Sequence, residues 1–270
     1  CILNPADSLA DAAQWTKSDL DLFAPTAELH RLIRENSADE RTYKRYMDSL
    51  KSSVLTAFYT QSEVTETISG VLKENGIAPL RMLEPSAGRG AFVDAFLRDN
   101  PQAEVMAFEK DLLTGKVLSH LYPEQRVRIE GLERIEKPFE EYFDVAVSNV
   151  PFGDVAVFDA QFEKGLAVRR AAAKNIHNYF CLKTLDTVRD GGIVALLVTQ
   201  GVLNADGNSA VRRLMLDQAD LLSAVRMPNN LFTENAGTEA GCDLLVLQKR
   251  VGKEELSEDE KLLAEPARDN

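Results

Sequence analysis

Residues Asn149, Val150, Pro151 and Phe152 follow one another at the end of an apolar run and set an amide, a stiff extended backbone and an aromatic face side by side. Pro151 biases Val150 away from the helical region towards an extended conformation. There the Asn149 side-chain oxygen and the Val150 carbonyl are able to accept from one NH2 group while Phe152 stacks on the ring that carries it. A flat, amine-bearing ring is the ligand such a clamp suits. The plain alternative is a strand that ends in a turn, because Pro and Gly, here Pro151 and Gly153, are the strongest local markers of one.

A second constellation lies upstream. The run Glu84-Pro85-Ser86-Ala87-Gly88-Arg89-Gly90-Ala91-Phe92 links a short apolar segment to an amphipathic one. Its small residues let the backbone approach a ligand closely, and the helix start behind it supplies N–H groups with no partner inside the helix. About twenty residues further on, Glu109 closes the next apolar run, followed by Lys110. An acid there is placed to hold the two ribose hydroxyls of a nucleoside cofactor. The loop lacks the third glycine of the dinucleotide fingerprint, and it carries Glu84 where an ammonium group needs a partner. Both points favour S-adenosylmethionine over a nicotinamide dinucleotide.

The elements that must position these groups alternate. Strands are expected at 80–84, 103–109, 126–129, 142–148, 192–198, 221–227 and 244–248. Helices are expected at 60–73, 92–98, 111–120, 177–188 and 209–218. Such alternation predicts an α/β fold with a doubly wound, mostly parallel sheet. The apolar strand at 142–148 reads as covered on both faces. Residues 155–174 lack a clean period and read as a long loop. Three-to-four-residue spacing of apolar positions predicts a helical N-terminal extension over 1–55, with Pro25 breaking its first helix. Residues 56–250 form the main domain, and 251–270 read as a charged tail or linker.

Composition narrows the class. The 270 residues are 44% hydrophobic, enough for one sizeable core with an appendage, and carry a net charge of −12. That charge disfavours broad nonspecific nucleic-acid binding, which rests on basic patches. Three scattered cysteines, Cys1, Cys181 and Cys242, show no metal spacing and point to a reducing, cytoplasmic setting. No apolar run reaches the ~18 residues of a membrane span. The chain opens on Cys1 rather than Met and is expected to be a fragment or a trimmed product.

Together the loop at 84–92 and Asn149-Val150-Pro151-Phe152 resemble the N6-adenine DNA methyltransferases, in the gamma order of cofactor loop before catalytic loop. Ala57-Phe58-Tyr59-Thr60 matches the aromatic-Tyr-Thr element that precedes the fold in that group. The form Asn-Val-Pro-Phe-Gly is similar to the helicase-associated, N12-class adenine methylases of mobile elements. Later stretches fit as well, among them Ile176 to Phe180, Met227 to Phe232, and Gly237-Thr238. The resemblance implies a Rossmann-like S-adenosylmethionine-dependent methyltransferase without a metal, acting on DNA in restriction-modification. Asn149, Val150, Pro151 and Phe152 would be its catalytic residues, holding a flipped adenine. Tyr59 and Thr60, with Glu84 and Ser86, would contact the methionine end of the cofactor. Pro85, Ala87, Gly88, Gly90 and Phe92 would complete the loop, Glu109 would hold the ribose beside Lys110, and Leu132 would pack on the adenine ring. Asn149 borders both ligands.

Two departures stand out. Many members carry Pro where Val150 stands, which keeps the carbonyl but drops a rigid ring. Many also carry an acidic-aromatic pair where this chain has Glu130-Gly131-Leu132-Glu133. Sequence recognition is expected from a helicase domain or a specificity subunit, and Arg169, Arg170 and Lys174 from phosphate-contacting positions in the loop. His177 is assigned no catalytic role. Two alternatives stay open: the same chemistry on RNA or a protein glutamine, and a catalytically impaired DNA-binding module that keeps the fold.

Overall fold

The computed structural model describes residues 17–56, 60–153, 155–228 and 241–265. The chain divides into two compact units, one of residues 1–56 with 111–113, the other of 57–110 with 114–270. The described part of the first is helical. Helix α1 (Lys17–Glu35) runs through Pro25 rather than stopping there. A proline removes one backbone hydrogen bond and bends a helix without having to end it. Helix α2 (Glu40–Thr56) follows, and Ile33, Met47 and Leu50 form the buried contact of this unit. No helix among the described residues is long and apolar enough to cross a membrane.

The second unit is an α/β sheet. In chain order it holds α3 (Ser62–Glu74), β1 (Arg81–Glu84), α4 (Ala91–Asp99), β2 (Glu104–Phe108), α5 (Leu112–Leu121, whose first residues count with the other unit), β3 (Arg126–Arg128) and β4 (Phe143–Asn149). Then come α6 (Ala160–Lys164), α7 (Ala167–Ala172), α8 (Ile176–Thr187), β5 (Val188–Thr199), α9 (Gly201–Asn204), α10 (Ser209–Leu216), β6 (Ala219–Arg226), β7 (Cys242–Lys249) and α11 (Glu258–Ala264). The strand order is β3-β2-β1-β4-β5-β7-β6, parallel except for β7, which pairs antiparallel with both neighbours. This is the doubly wound, mostly parallel sheet that the alternation predicts.

The period-two alternation of each strand divides its side chains between two cores. Met82, Val105, Ala107, Val145, Val147 and Ile193 face α3 and α4 on one side. Leu83, Met106, Phe108, Ala146, Val194 and Leu196 face α8 and α10 on the other. Because both faces are covered, the central strands carry unbroken apolar runs.

Two expectations need correction. The segment 155–174 contains the short helices α6 and α7 instead of a plain loop. Asp159 accepts from the N–H groups of Gln161 and Phe162 and so starts α6, and a helix of five or six residues is too short to show a period. The expected tail or linker is packed structure up to residue 265. Ser257 and Glu260 form a capping box for α11, Lys253 Nζ lies 2.7 Å from Glu260 Oε1, and Ala264 is buried. Its charges thus cap and pair inside the fold.

Candidate active site

The sheet order reverses between β1 and β4. The chain runs outward from β1 through β2 to β3, then returns to lay β4 on the opposite side of β1. In open α/β sheets the crevice beyond the carboxyl ends at such a reversal is the usual ligand site. Three adjacent parallel strands deliver polar side chains there. Glu84 is the last residue of β1, Glu109 comes directly after β2, and Asn149 is the last residue of β4.

The turn after β1 is held by its backbone. The N–H of Ala87 donates to Phe108 O at 2.8 Å, that of Gly90 to Ala87 O at 2.8 Å, and that of Gly88 to Glu109 Oε2 at 2.8 Å. Gly88 (φ 54°) and Gly90 (φ 87°) occupy the left-handed region that suits glycine. A Cβ at Gly90 would lie 2.6 Å from Tyr122 Cε2 and 2.7 Å from Leu118 Cδ1. The positive φ and the close packing of Leu118 and Tyr122 both call for glycine at this position.

Glu84 is only 1% exposed and neither of its carboxylate oxygens has a hydrogen-bond partner. Burial drives its pKa well above the usual carboxylate range, against the weaker pull of the nearby Ser148 hydroxyl and Ser86 N–H. An unmet buried acceptor of this kind costs about 1–3 kcal/mol. A cationic N–H donor removes that cost, so Glu84 could hold the amino-acid end of S-adenosylmethionine, and Glu109 stands at the neighbouring strand end.

The other side of the crevice is apolar and tied to the sheet. Asn149 pairs in register with Leu197 of β5, and the N–H of Val150 donates to Leu197 O at 3.0 Å. The Val150 side chain is fully buried. What a second proline would supply through its ring, this chain supplies through a hydrogen bond and a packed side chain. Phe152 packs with Val64, Met227 and Cys242, and meets His177 edge-on with centroids 5.3 Å apart and planes at 81°. His177 is 3% exposed, its Nδ1 has no partner, and burial lowers its pKa to about 4, so the ring is neutral at physiological pH. Asn175 fixes the start of α8 by accepting from the N–H of His177 and of Asn178. The sequence reads His177 as a polar residue at a helix start, whereas the helix is buried from 177 to 185 and leaves the ring no solvent face.

The other predicted site residues have the following surroundings. Ala87 and Phe92 belong to one core and Leu132, at 0% exposure, to the other. Pro85 is buried beside Glu84. Lys110 is exposed, with Nζ 3.6 Å from Glu133 Oε1. Thr60 lines a cleft of about 480 Å3 with Gln61, Ser62, Arg89 and Ala91. Tyr59 lies outside the described residues, as do Phe58 and Gly237-Thr238. Of the expected phosphate contacts, Arg169 is committed to Asp186 through two bonds of 2.5 and 2.7 Å, and Arg170 reaches Gly165 O. Lys174 is exposed.

With this geometry in place, the match of residues 120–265 to the N-6 DNA Methylase family model is decisive. The chain belongs to the N-6 DNA methylase family. The matched stretch includes Asn149 to Phe152 and His177 and begins after the loop at 84–92. S-adenosylmethionine is the cofactor of this family and fold. Among curated relatives of this N-6 methylase, the defense against restriction protein B of Escherichia phage P1 is 28% identical over 195 residues, which is 71% of this chain and 8% of that protein. The methylase subunit of the type I restriction enzyme EcoEI of Escherichia coli is 23% identical over 261 residues, 85% of this chain and 51% of the subunit. The chain thus spans about half or less of the curated relatives it matches. A Vibrio vulnificus YJ016 protein assigned as a type I restriction enzyme modification subunit shares the fold, with a TM-score of 0.60 at 16% identity over 87% of this chain and 50% of that one. The type IIG restriction endonuclease BpuSI shares it with a TM-score of 0.54 at 18% identity, over 78% and 27%.

Proposed function

We propose that this chain methylates N6 of an adenine turned out of duplex DNA into the pocket formed by Asn149, Val150, Pro151 and Phe152. The observation that carries the reading is the placement of Asn149, Glu84 and Glu109 at the carboxyl ends of three adjacent parallel strands. Bound S-adenosylmethionine would supply a methyl group on a positively charged sulfur. Glu84 would pair with its ammonium group and Glu109 with its ribose hydroxyls, while Thr60 would border the methionine end. Phe152 would stack on the adenine. The Asn149 side-chain oxygen and the Val150 carbonyl would accept both N6 hydrogens, which draws the nitrogen lone pair out of the ring and frees it to attack. As the nitrogen bonds to the methyl carbon, the carbon–sulfur bond breaks with its electron pair left on sulfur, and one of the two N6 protons passes to solvent water. Positioning and preorganised acceptors do this work without a covalent intermediate. Sequence recognition would come from a helicase domain or a specificity subunit, in keeping with the restriction assemblies to which relatives of about twice this length belong.

A tritiated-methyl assay that offers duplex DNA, RNA and protein in parallel tests the reading. Label in DNA, recovered as N6-methyladenine, is the expected result. Label in RNA or in a protein glutamine overturns it, and cofactor binding with no label on any substrate favours the non-catalytic alternative.

A further inference from the structure

Phe158 is 78% exposed, an unusual place for a phenylalanine. It is held there by a fixed frame. On one side the N–H of Val157 donates to Ala173 O at 2.7 Å. On the other Asp159 is buried, with Lys183 Nζ at 3.0 Å, the Tyr179 hydroxyl at 2.8 Å and the N–H of Gln161 at 2.7 Å. A ring kept in water between two anchored neighbours is preorganised for something outside the molecule.

Its location says what. The excursion 153–175 leaves the sheet at Phe152 and returns at His177, and those two rings touch. It therefore begins and ends at the clamp. Over residues 153–175 it carries Lys164, Arg169, Arg170 and Lys174 against Asp154, Asp159 and Glu163, in a chain whose net charge is −12. Asp159 is neutralised by Lys183 and Arg169 by Asp186, which leaves Lys164, Arg170 and Lys174 against Asp154 and Glu163, a small cationic excess. A local excess of positive charge around an exposed aromatic matches a nucleic-acid backbone with stacked bases.

We propose that the excursion is a DNA-contacting face and that Phe158 inserts into the base stack, filling the gap that opens when the target base leaves. The proposal rests on the adenine-methylation reading above. Apolar wedges of this kind offset the cost of unstacking. The insertion is needed least where the target base is already unpaired.

Two experiments on the full chain test it. Trp15 is the single tryptophan, so Trp15→Phe combined with Phe158→Trp gives a one-tryptophan reporter. Its emission should be quenched as duplex DNA is added, in step with binding followed by anisotropy. Unchanged emission at saturating DNA overturns the insertion. Second, Phe158→Ala should lower kcat/KM on a matched duplex at least ~10-fold, and placing the target adenine opposite an abasic site should bring it back to within ~3-fold of wild type. No loss, or an equal loss on both duplexes, overturns the wedge, and the equal loss points to a protein surface instead. Quenching with no methyl transfer by the wild type sinks the methylation reading alone. Methyl transfer without quenching sinks the wedge alone.

Discussion

On the proposed cofactor side of the crevice, from Glu84 to Glu109, the loop backbone folds on itself and a buried carboxyl group has no hydrogen bond. On the proposed base side, from Asn149 to His177, the backbone continues the β4–β5 ladder and Phe152 packs into apolar contacts. The difference separates two tasks. Burial favours the neutral form of Glu84, and a cationic ligand arriving there would let it ionise against a partner. A backbone bonded into the sheet with packed rings fixes where acceptors and an aromatic face lie, beside a buried His177 Nδ1 that lacks a partner.

The comparison fails at once if the two sides cannot be uncoupled. Asn149→Ala should lower methyl transfer by ~10^2–10^3-fold, as loss of one preorganised group does elsewhere. Cofactor affinity measured by calorimetry should move by less than ~3-fold. A parallel collapse of cofactor binding would mean that Asn149 belongs to both tasks.

Glu84→Gln should do the reverse, weakening cofactor binding by ~10–100-fold through loss of the charge partner. It also has a stability consequence of opposite sign. Because the folded pKa of Glu84 is raised, the folded protein takes up a proton that the unfolded chain, with a carboxyl near pH 4.3, releases. Stability therefore falls as pH rises from the unfolded value through the folded one and stays lower above it. The Gln variant escapes this loss, so the ligand-free protein should melt a few degrees higher than wild type at neutral pH, at ~2–4 °C per kcal/mol, with the gap closing near pH 4. A lower melting temperature at neutral pH would show that Glu84 has a structural partner.

Val150→Pro gives the smallest effect and the sharpest distinction. It keeps the carbonyl but loses the N–H donated to Leu197 O and the buried side chain. Leaving that acceptor unmet should cost about 1–3 kcal/mol, read as a drop in melting temperature with unchanged cofactor affinity. If the variant is as stable as wild type, the ring of a proline and this hydrogen bond are equivalent ways to stiffen the loop.

Much of this was legible in the sequence for local reasons. Apolar runs of strand length around 104–108, 143–149 and 242–249 have to be buried on both faces, and the small-residue turn between Glu84 and Phe92 announces a tight strand-to-helix connection. What escaped depends on residues distant in the chain. Arg169 reads as a phosphate contact until Asp186 is seen beside it. Residues 160–164 become helical because Asp159, itself anchored by Lys183 and Tyr179, caps them, and 258–264 become helical on the surface offered by α10. The packing of Tyr122 and Leu118 against Gly90 joins residues some thirty positions apart. His177 takes its place only when Phe152 lies against it.

Position 150 has one more consequence. A proline there would carry no amide proton, whereas Val150 carries one, bonded to Leu197 in the motif proposed to grip the base. The active site thus contains its own isotopic reporter. The rate at which that proton trades with deuterated water counts how often the loop detaches from the sheet, and its slowing when DNA is bound would measure the closure of the clamp directly.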